Sequence, residues 1–252
     1  MPMIGAVKNF TEGGIYHVYN RGVNKEDIFF ADEDFYIFIE LLDRYLCEKD
    51  PLECTKNYKG RISLFAFCLL RNHIHLFLRQ TDERAITEFM QSLSVSFTMR
   101  INNKYKRVGH LFQGVYKARS VLTDAEFANV FRYVHFNAGE TEEERLVYPY
   151  SSAGMYLNES KGLENGVDVF PFIDTAATFE FISRDVCRNL LRDSPGRLGQ
   201  ASGGALGGLS PGRAEPSSDV LPGLGDGTGG GFSPGRAEPG LGPTLPRPSP
   251  VV

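Results

Sequence analysis

The sequence predicts an α+β fold over roughly residues 8–193, on three observations. Apolar runs of strand length recur at 14–20, 62–70, 73–78 and 116–121. Between and after them, apolar residues return at helical spacing. The resulting order is strand, helix, hairpin, helix, strand, helix, which suits an antiparallel sheet with packed helices of ferredoxin-like (RRM-like) type.

Each element has its own signal. Gly14-Ile-Tyr-His-Val-Tyr-Asn20 has strand character and stops at Arg21-Gly22. Asp32 and Asp34 open a helix carrying Phe35, Phe38, Ile39, Leu42, Tyr45 and Leu46 at helical spacing. Ile62-Ser-Leu-Phe-Ala-Phe-Cys-Leu-Leu70 predicts a buried strand, and the polar Arg71-Asn72 break leads into the hairpin partner His73-Ile-His-Leu-Phe-Leu78. A long helix follows, with Ile86, Phe89, Met90, Leu93, Phe97 and Ile101 on one stripe, and Tyr116-Lys-Ala-Arg-Ser-Val121 predicts a further strand. Thr123-Asp-Ala-Glu126 has the spacing of a capping box, in which a hydroxyl and a carboxylate reciprocally satisfy first-turn amides. The helix it starts presents Phe127, Val130, Phe131 and Val134 to the core.

Composition changes after about Ser194. Residues 197–252 hold fifteen glycines and nine prolines, and the phrase Ser210-Pro-Gly-Arg-Ala-Glu-Pro216 returns as Ser233-Pro-Gly-Arg-Ala-Glu-Pro239. With no apolar periodicity to offset its ordering entropy, this stretch is expected to be a disordered Gly/Pro-rich tail.

The whole-chain figures bound the function classes. No window approaches the roughly 18 consecutive apolar residues of a membrane span. Met1-Pro2-Met3-Ile4-Gly5 lacks the basic and apolar regions of a secretory leader. The four cysteines, Cys47, Cys54, Cys68 and Cys187, form no C-x-x-C pair, so reduced thiols in a cytoplasmic protein are expected. A net charge of −4 over 252 residues would argue against a nucleic-acid partner, but the charge is unevenly placed. Residues 54–123 hold twelve Lys and Arg against three acids. The run from Phe89 to Thr123 has no acid and interleaves Phe97, Tyr105, Phe112 and Tyr116 among its bases. Cations attract phosphate and aromatic faces stack unpaired bases, a combination suited to single-stranded nucleic acid. Arg100, Lys104, Lys106, Arg107, Lys117 and Arg119 are the candidate phosphate contacts.

Two local patterns carry chemistry. His73 and His75 lie two apart on a strand, so both imidazoles share one face about 7 Å apart and can converge on one divalent ion. On the capped helix, Tyr133 and Asn137 are spaced i, i+4 beside the core stripe. Two imidazole nitrogens and one amide oxygen would half-fill the shell of Mg²⁺ or Mn²⁺, leaving room for phosphate oxygens. The neighbouring phenol is then a candidate nucleophile. Residue types alone leave open packed or surface histidines and an ordinary helix-edge tyrosine. For His17 and His110 a packed or surface position is expected, with a supporting or substrate contact as the alternative.

At these residues the sequence resembles the HUH-superfamily single-tyrosine transposases, which include insertion-sequence enzymes acting on single-stranded DNA and the REP-associated tyrosine transposases. The resemblance runs from about residue 14 to 156 through five motifs in order: Tyr16-His-Val-Tyr-Asn-Arg-Gly22, Asn72-His-Ile-His-Leu76, Gly109-His-Leu-Phe-Gln-Gly114, Tyr133-Val-His-Phe-Asn137 and Tyr148-Pro-Tyr-Ser-Ser152. It implies a transposase in which His73, His75 and Asn137 hold Mg²⁺ or Mn²⁺. Tyr133 would attack a phosphate of single-stranded or hairpin DNA, giving a 5′-phosphotyrosine link. It implies either a monomer or a homodimer. The acidic run Glu140-Thr-Glu-Glu-Glu144 departs from the family's proline and apolar-basic continuation. Two rivals stay open: a non-catalytic single-stranded nucleic-acid-binding module derived from such a transposase, and a metal-dependent phosphodiesterase that uses water.

Overall fold

The hairpin at residues 62–80 is the centre from which the sheet grows. In this computed structural model, which describes residues 10–48, 56–157 and 170–192, β2 (Ile62–Leu70) and β3 (His73–Gln80) pair antiparallel around the Arg71-Asn72 turn. Strand β1 (Ile15–Arg21) pairs antiparallel with β3, and β4 (Lys117–Val121) pairs antiparallel with β1. The order is β2-β3-β1-β4. With helix α1 (Asp32–Leu46) between β1 and β2, and α2 (Ala85–Tyr105) between β3 and β4, this is the ferredoxin-like topology that the sequence predicts. The proposed 197–252 tail lies outside the described residues.

Residues of one sheet face, Tyr16, Val18, Ile74, Leu76 and Leu78, are buried, because alternation turns them together toward the α1–α2 side. Phe97 of α2 meets Phe38 of α1 edge-on at 5.0 Å, and Tyr45 shares a 2.7 Å hydrogen bond with Ser96. Asp34 ties the start of α1 to the end of α2. Its carboxylate accepts from the Phe30 and Ala31 amides, from Lys104 Nζ at 2.7 Å and from the Tyr105 hydroxyl at 2.9 Å. Burial alone would raise that carboxyl; these donors overcome it and hold it below the usual carboxylate range.

Helix α3 (Asp124–Phe136) covers the other face. Thr123 caps it by accepting from the Glu126 amide, while the Glu126 carboxylate reaches one residue further back, to the Leu122 amide at 2.8 Å. Its predicted core residues Phe127, Val130, Phe131 and Val134 are buried. His135 locks the helix to β2. Its Nδ1 donates to the Phe131 carbonyl, and its Nε2 accepts from Ser152 Oγ, which in turn accepts from the Phe67 amide.

The outer edge of β2 is closed by chain that the periodicity did not resolve into elements. Cys68 bridges to Ser151, the Leu69 amide donates to the Tyr150 carbonyl, and the Tyr148 hydroxyl donates to the Leu69 carbonyl. The acidic run becomes α4 (Glu142–Val147), with Thr141 and Glu144 forming its capping box. Short helices α5 (Ala153–Leu157) and α6 (Thr175–Phe179) and then α7 (Arg184–Arg192) complete the described chain. No helix among the described residues is long and apolar enough to cross a membrane.

Candidate active site

The imidazoles gather where β1 and β3 run side by side. Alternation places His17, Tyr19 and Arg21 on one face of β1. The register Tyr19↔His75 and Arg21↔His73 sets both predicted histidines on that same face. Flanking strands extend the row. Lys117 and Arg119 of β4 lie opposite Tyr19 and His17, while Cys68 and Leu70 of β2 lie opposite His75 and His73.

Helix α3 carries Tyr133 over this row. Phe127 anchors the helix on Phe77 and Phe65, with ring centroids 4.7 and 5.0 Å away. Two turns on, the Tyr133 ring stands edge-on to His17 at 5.6 Å and to His75 at 5.8 Å. Its neighbours Phe131 and Val134 are fully buried, whereas Tyr133 is 42% exposed, so the phenol sits at the border between core and solvent. Burial, and after it the Tyr19 phenol, push its hydroxyl above the ordinary phenol value. The histidines beneath it belong to the same chain.

The donor atoms suit a divalent ion. His73 and His75 have ring centroids 4.9 Å apart. His73 Nδ1 lies 2.6 Å from Asn72 Oδ1, and an amide oxygen only accepts, so the proton sits on Nδ1 and the lone pair on Nε2. His75 Nδ1 lies 2.9 Å from His17 Nε2, while His75 Nε2 is buried with no hydrogen-bond partner among the described residues. Desolvation is the main reason these rings stay neutral, the form that ligates metal. Burial and then Arg119 lower His17 to about 4; burial and then Arg21 lower His73 to about 4. Burial, followed by the other two imidazoles, holds His75 well below its usual value.

Asn137 stands one turn past Tyr133 as the C-cap of α3. Its Nδ2 donates to the Tyr133 and Val134 carbonyls at 2.8 and 3.5 Å, which leaves Oδ1 as its lone-pair atom. Among the described residues no three His, Cys, Asp or Glu side chains gather to hold an ion. Asn137 is the amide that the sequence reading names as the third ligand. The structure brings His73, His75 and Tyr133 together; Asn137 joins them by its place on the helix, its hydrogen bonds running to its own backbone.

The predicted phosphate contacts divide into two groups. Lys117 and Arg119 are exposed on the sheet face beside the histidines, with Glu126 at 4.0 Å from Arg119. Arg100 is paired with Glu40 at 3.0 Å, and Lys104 with Asp34, on α2. Lys106 is the exposed left-handed cap of α2, and Arg107 lies over the Phe30 ring at 5.1 Å. The Gly109–Gly114 loop owes both its glycines to positive φ, +96° and +80°. Phe112 bridges Gly22, and the Gln113 amide donates to the Arg21 carbonyl, so the loop is tied to the end of β1 with His110 exposed.

The sequence reading placed Tyr19 and Arg21 in the strand-end motif Tyr16–Gly22 but gave neither a role in the site. Arg21 faces His73 across the ladder, and its Nε is buried with no hydrogen-bond partner among the described residues. The available signal was the alternation of His17, Tyr19 and Arg21, three polar side chains on one strand face at i, i+2 and i+4.

Residues 47–137 match the family model described as IS200-like transposases. No curated protein matches the chain. Among solved structures, it is similar to a REP-associated tyrosine transposase bound to a REP hairpin, with 10% identity, a TM-score of 0.43, and 63% of this chain and 86% of that chain covered. It is also similar to a protein from Deinococcus radiodurans R1 described as a candidate transposase, with 18% identity, a TM-score of 0.34, and 52% and 92% covered.

Proposed function

We propose that this chain, whose residues 47–137 match the IS200-like transposase family model, cleaves and rejoins single-stranded DNA through Tyr133. The observation that carries this reading is the edge-on placement of the Tyr133 ring against His17 and His75 of its own chain, beside two imidazole nitrogens able to ligate a cation. His73, His75 and Asn137 would hold Mg²⁺ or Mn²⁺. When bound, the ion supplies Lewis-acid polarisation of the scissile phosphate and charge compensation for the leaving oxygen.

The chain's own residues account for the rest. Lys117 and Arg119 hold the backbone phosphates on the sheet face, and Arg21 offers a cation next to His73. The exposed His110 loop and Tyr19 offer surfaces on which unpaired or hairpin-flanking bases stack. In the covalent step the Tyr133 Oη–P bond forms as the P–O3′ bond breaks. The phenolic proton is lost and the 3′ oxygen leaves as a hydroxyl, so no proton is consumed overall. The 5′-phosphotyrosine keeps the energy of the broken ester, and a 3′-hydroxyl can reseal the strand without ATP.

The test is incubation of the full chain with a panel of labelled hairpin oligonucleotides and Mn²⁺. The expected product is a denaturation-resistant DNA–protein adduct, lost with EDTA and with Tyr133→Phe. Binding without an adduct across the panel would instead identify a non-catalytic single-strand binder, and cleavage that survives Tyr133→Phe would identify a water-using phosphodiesterase.

A further inference from the structure

His17 is the histidine for which the proposed chemistry has no stated use, yet it is the one most closely joined to the site. In the ladder it stands opposite Phe77, so His75 is its diagonal neighbour, a pair that strand spacing alone leaves about 7–8 Å apart. The two side chains close that gap: their rings lie within 10° of parallel, with Nε2 of His17 at 2.9 Å from Nδ1 of His75. Both rings are buried, at 7% and 4% exposure, so one proton has to be shared between them without help from water.

Only two arrangements satisfy that contact. If His17 donated, the remaining proton of neutral His75 would sit on Nε2, a buried N–H with no acceptor among the described residues. If His75 donates from Nδ1, its Nε2 carries a lone pair. That lone pair then points from a buried, otherwise unpartnered atom on the side of the ring away from His17, with the His73 ring 4.9 Å away. A ligating histidine generally donates its other ring N–H to an outer acceptor, which fixes tautomer and orientation.

We infer that His17 is a positioning residue for the metal, accepting the Nδ1–H of His75 and thereby holding the His75 Nε2 lone pair ready for the cation. This rests on the reading that His73 and His75 hold the ion. His17 itself is not a ligand, since its Nε2 is engaged by His75. Tyr19 at 5.1 Å and Tyr133 at 5.6 Å pack against the His17 ring and keep it in place.

The experiment uses the full-length protein without DNA and has two readouts, neither of them activity. The first is the ¹⁵N spectrum of the imidazoles, which distinguishes Nδ1–H from Nε2–H. His75 is expected as Nδ1–H in the wild type and as Nε2–H in His17→Phe, a change that, read in metal-free protein, tests the hydrogen bond independently of metal binding. The second is Mn²⁺ binding, followed by the electron paramagnetic resonance signal of free Mn²⁺, with His75→Ala as the control for the site. His17→Phe, which keeps an aromatic ring of similar volume, is expected to weaken binding by about 10- to 100-fold. His17→Gln, whose amide oxygen can take the same proton, is expected to recover most of it. Wild-type protein that binds no Mn²⁺, or binding unchanged in His75→Ala, overturns the metal reading and this inference with it. An Nε2–H signal for His75 in the wild type, or wild-type affinity in His17→Phe, overturns the inference alone.

Discussion

A cation contributes to nucleic-acid binding only insofar as phosphate, rather than a carboxylate of its own chain, is its best partner. Lys104 gives its ammonium to the buried Asp34 at 2.7 Å, and Arg100 faces Glu40 at 3.0 Å. Lys117 and Arg119 stand exposed beside the histidine row. Each phosphate contact on a single strand adds about 0.7 to the slope of log affinity against log salt. Removing Lys117 and Arg119 together is therefore expected to weaken oligonucleotide binding and flatten that slope by about 1.4. Arg100→Ala should leave the slope unchanged. A titration across salt concentrations checks both, and an unchanged slope in the double variant would contradict the placement. At this scale the basic surplus of residues 54–123 was legible, but its division was not. Which bases are consumed at home depends on Asp34 and Glu40, which are some sixty or more residues away in sequence and meet α2 only in the fold.

The elements show the same dependence on distance. The boundaries of β2 and the start of β3 follow directly from apolar runs and the Arg71-Asn72 break, and α3 follows from its cap and stripe. Those local signals also located Tyr133 at the edge of the core. The role of the acidic run was not legible. Instead of facing DNA as free charge, Glu144 caps α4 by accepting from the Glu140 and Thr141 amides, and Glu142 pairs with Arg192 at 3.3 Å. The attachment of α3 to β2 through Ser152 was equally hidden, because it joins residues far apart in the chain. Ser152→Ala leaves His135 Nε2 and the Phe67 amide without their shared partner inside the core. The expected cost is about 1–3 kcal/mol of unfolding free energy, measured by urea denaturation. A loss below about 0.5 kcal/mol would show that the link does not anchor the tyrosine helix.

For the molecule as a whole, buried neutral histidines set the pH range. Burial holds His135 at about 3 in the folded protein, against 6.5 in the unfolded chain. The unfolded state therefore takes up a proton first, and stability present above pH 6.5 is lost as the pH falls toward 3, by about 1.4 kcal/mol per unit for that residue. His17 and His73, both at about 4, act in the same direction. The urea midpoint should drop clearly between pH 7.5 and 5.5, with a shallower drop in His135→Gln; equal midpoints would contradict this. Tyr133 lies against His17 and His75 of its own chain, so mixing Tyr133→Phe with His75→Ala protein is expected not to restore the DNA adduct. Restoration would mean that a partner supplies the tyrosine. The central claim, that this sheet face holds a cation under Tyr133, is tested most directly by anomalous diffraction from crystals soaked in Mn²⁺. The account predicts one strong peak in bonding reach of His73 Nε2 and His75 Nε2, beside the Tyr133 hydroxyl. A peak elsewhere, or imidazoles turned away from one another with no peak between them, would contradict it.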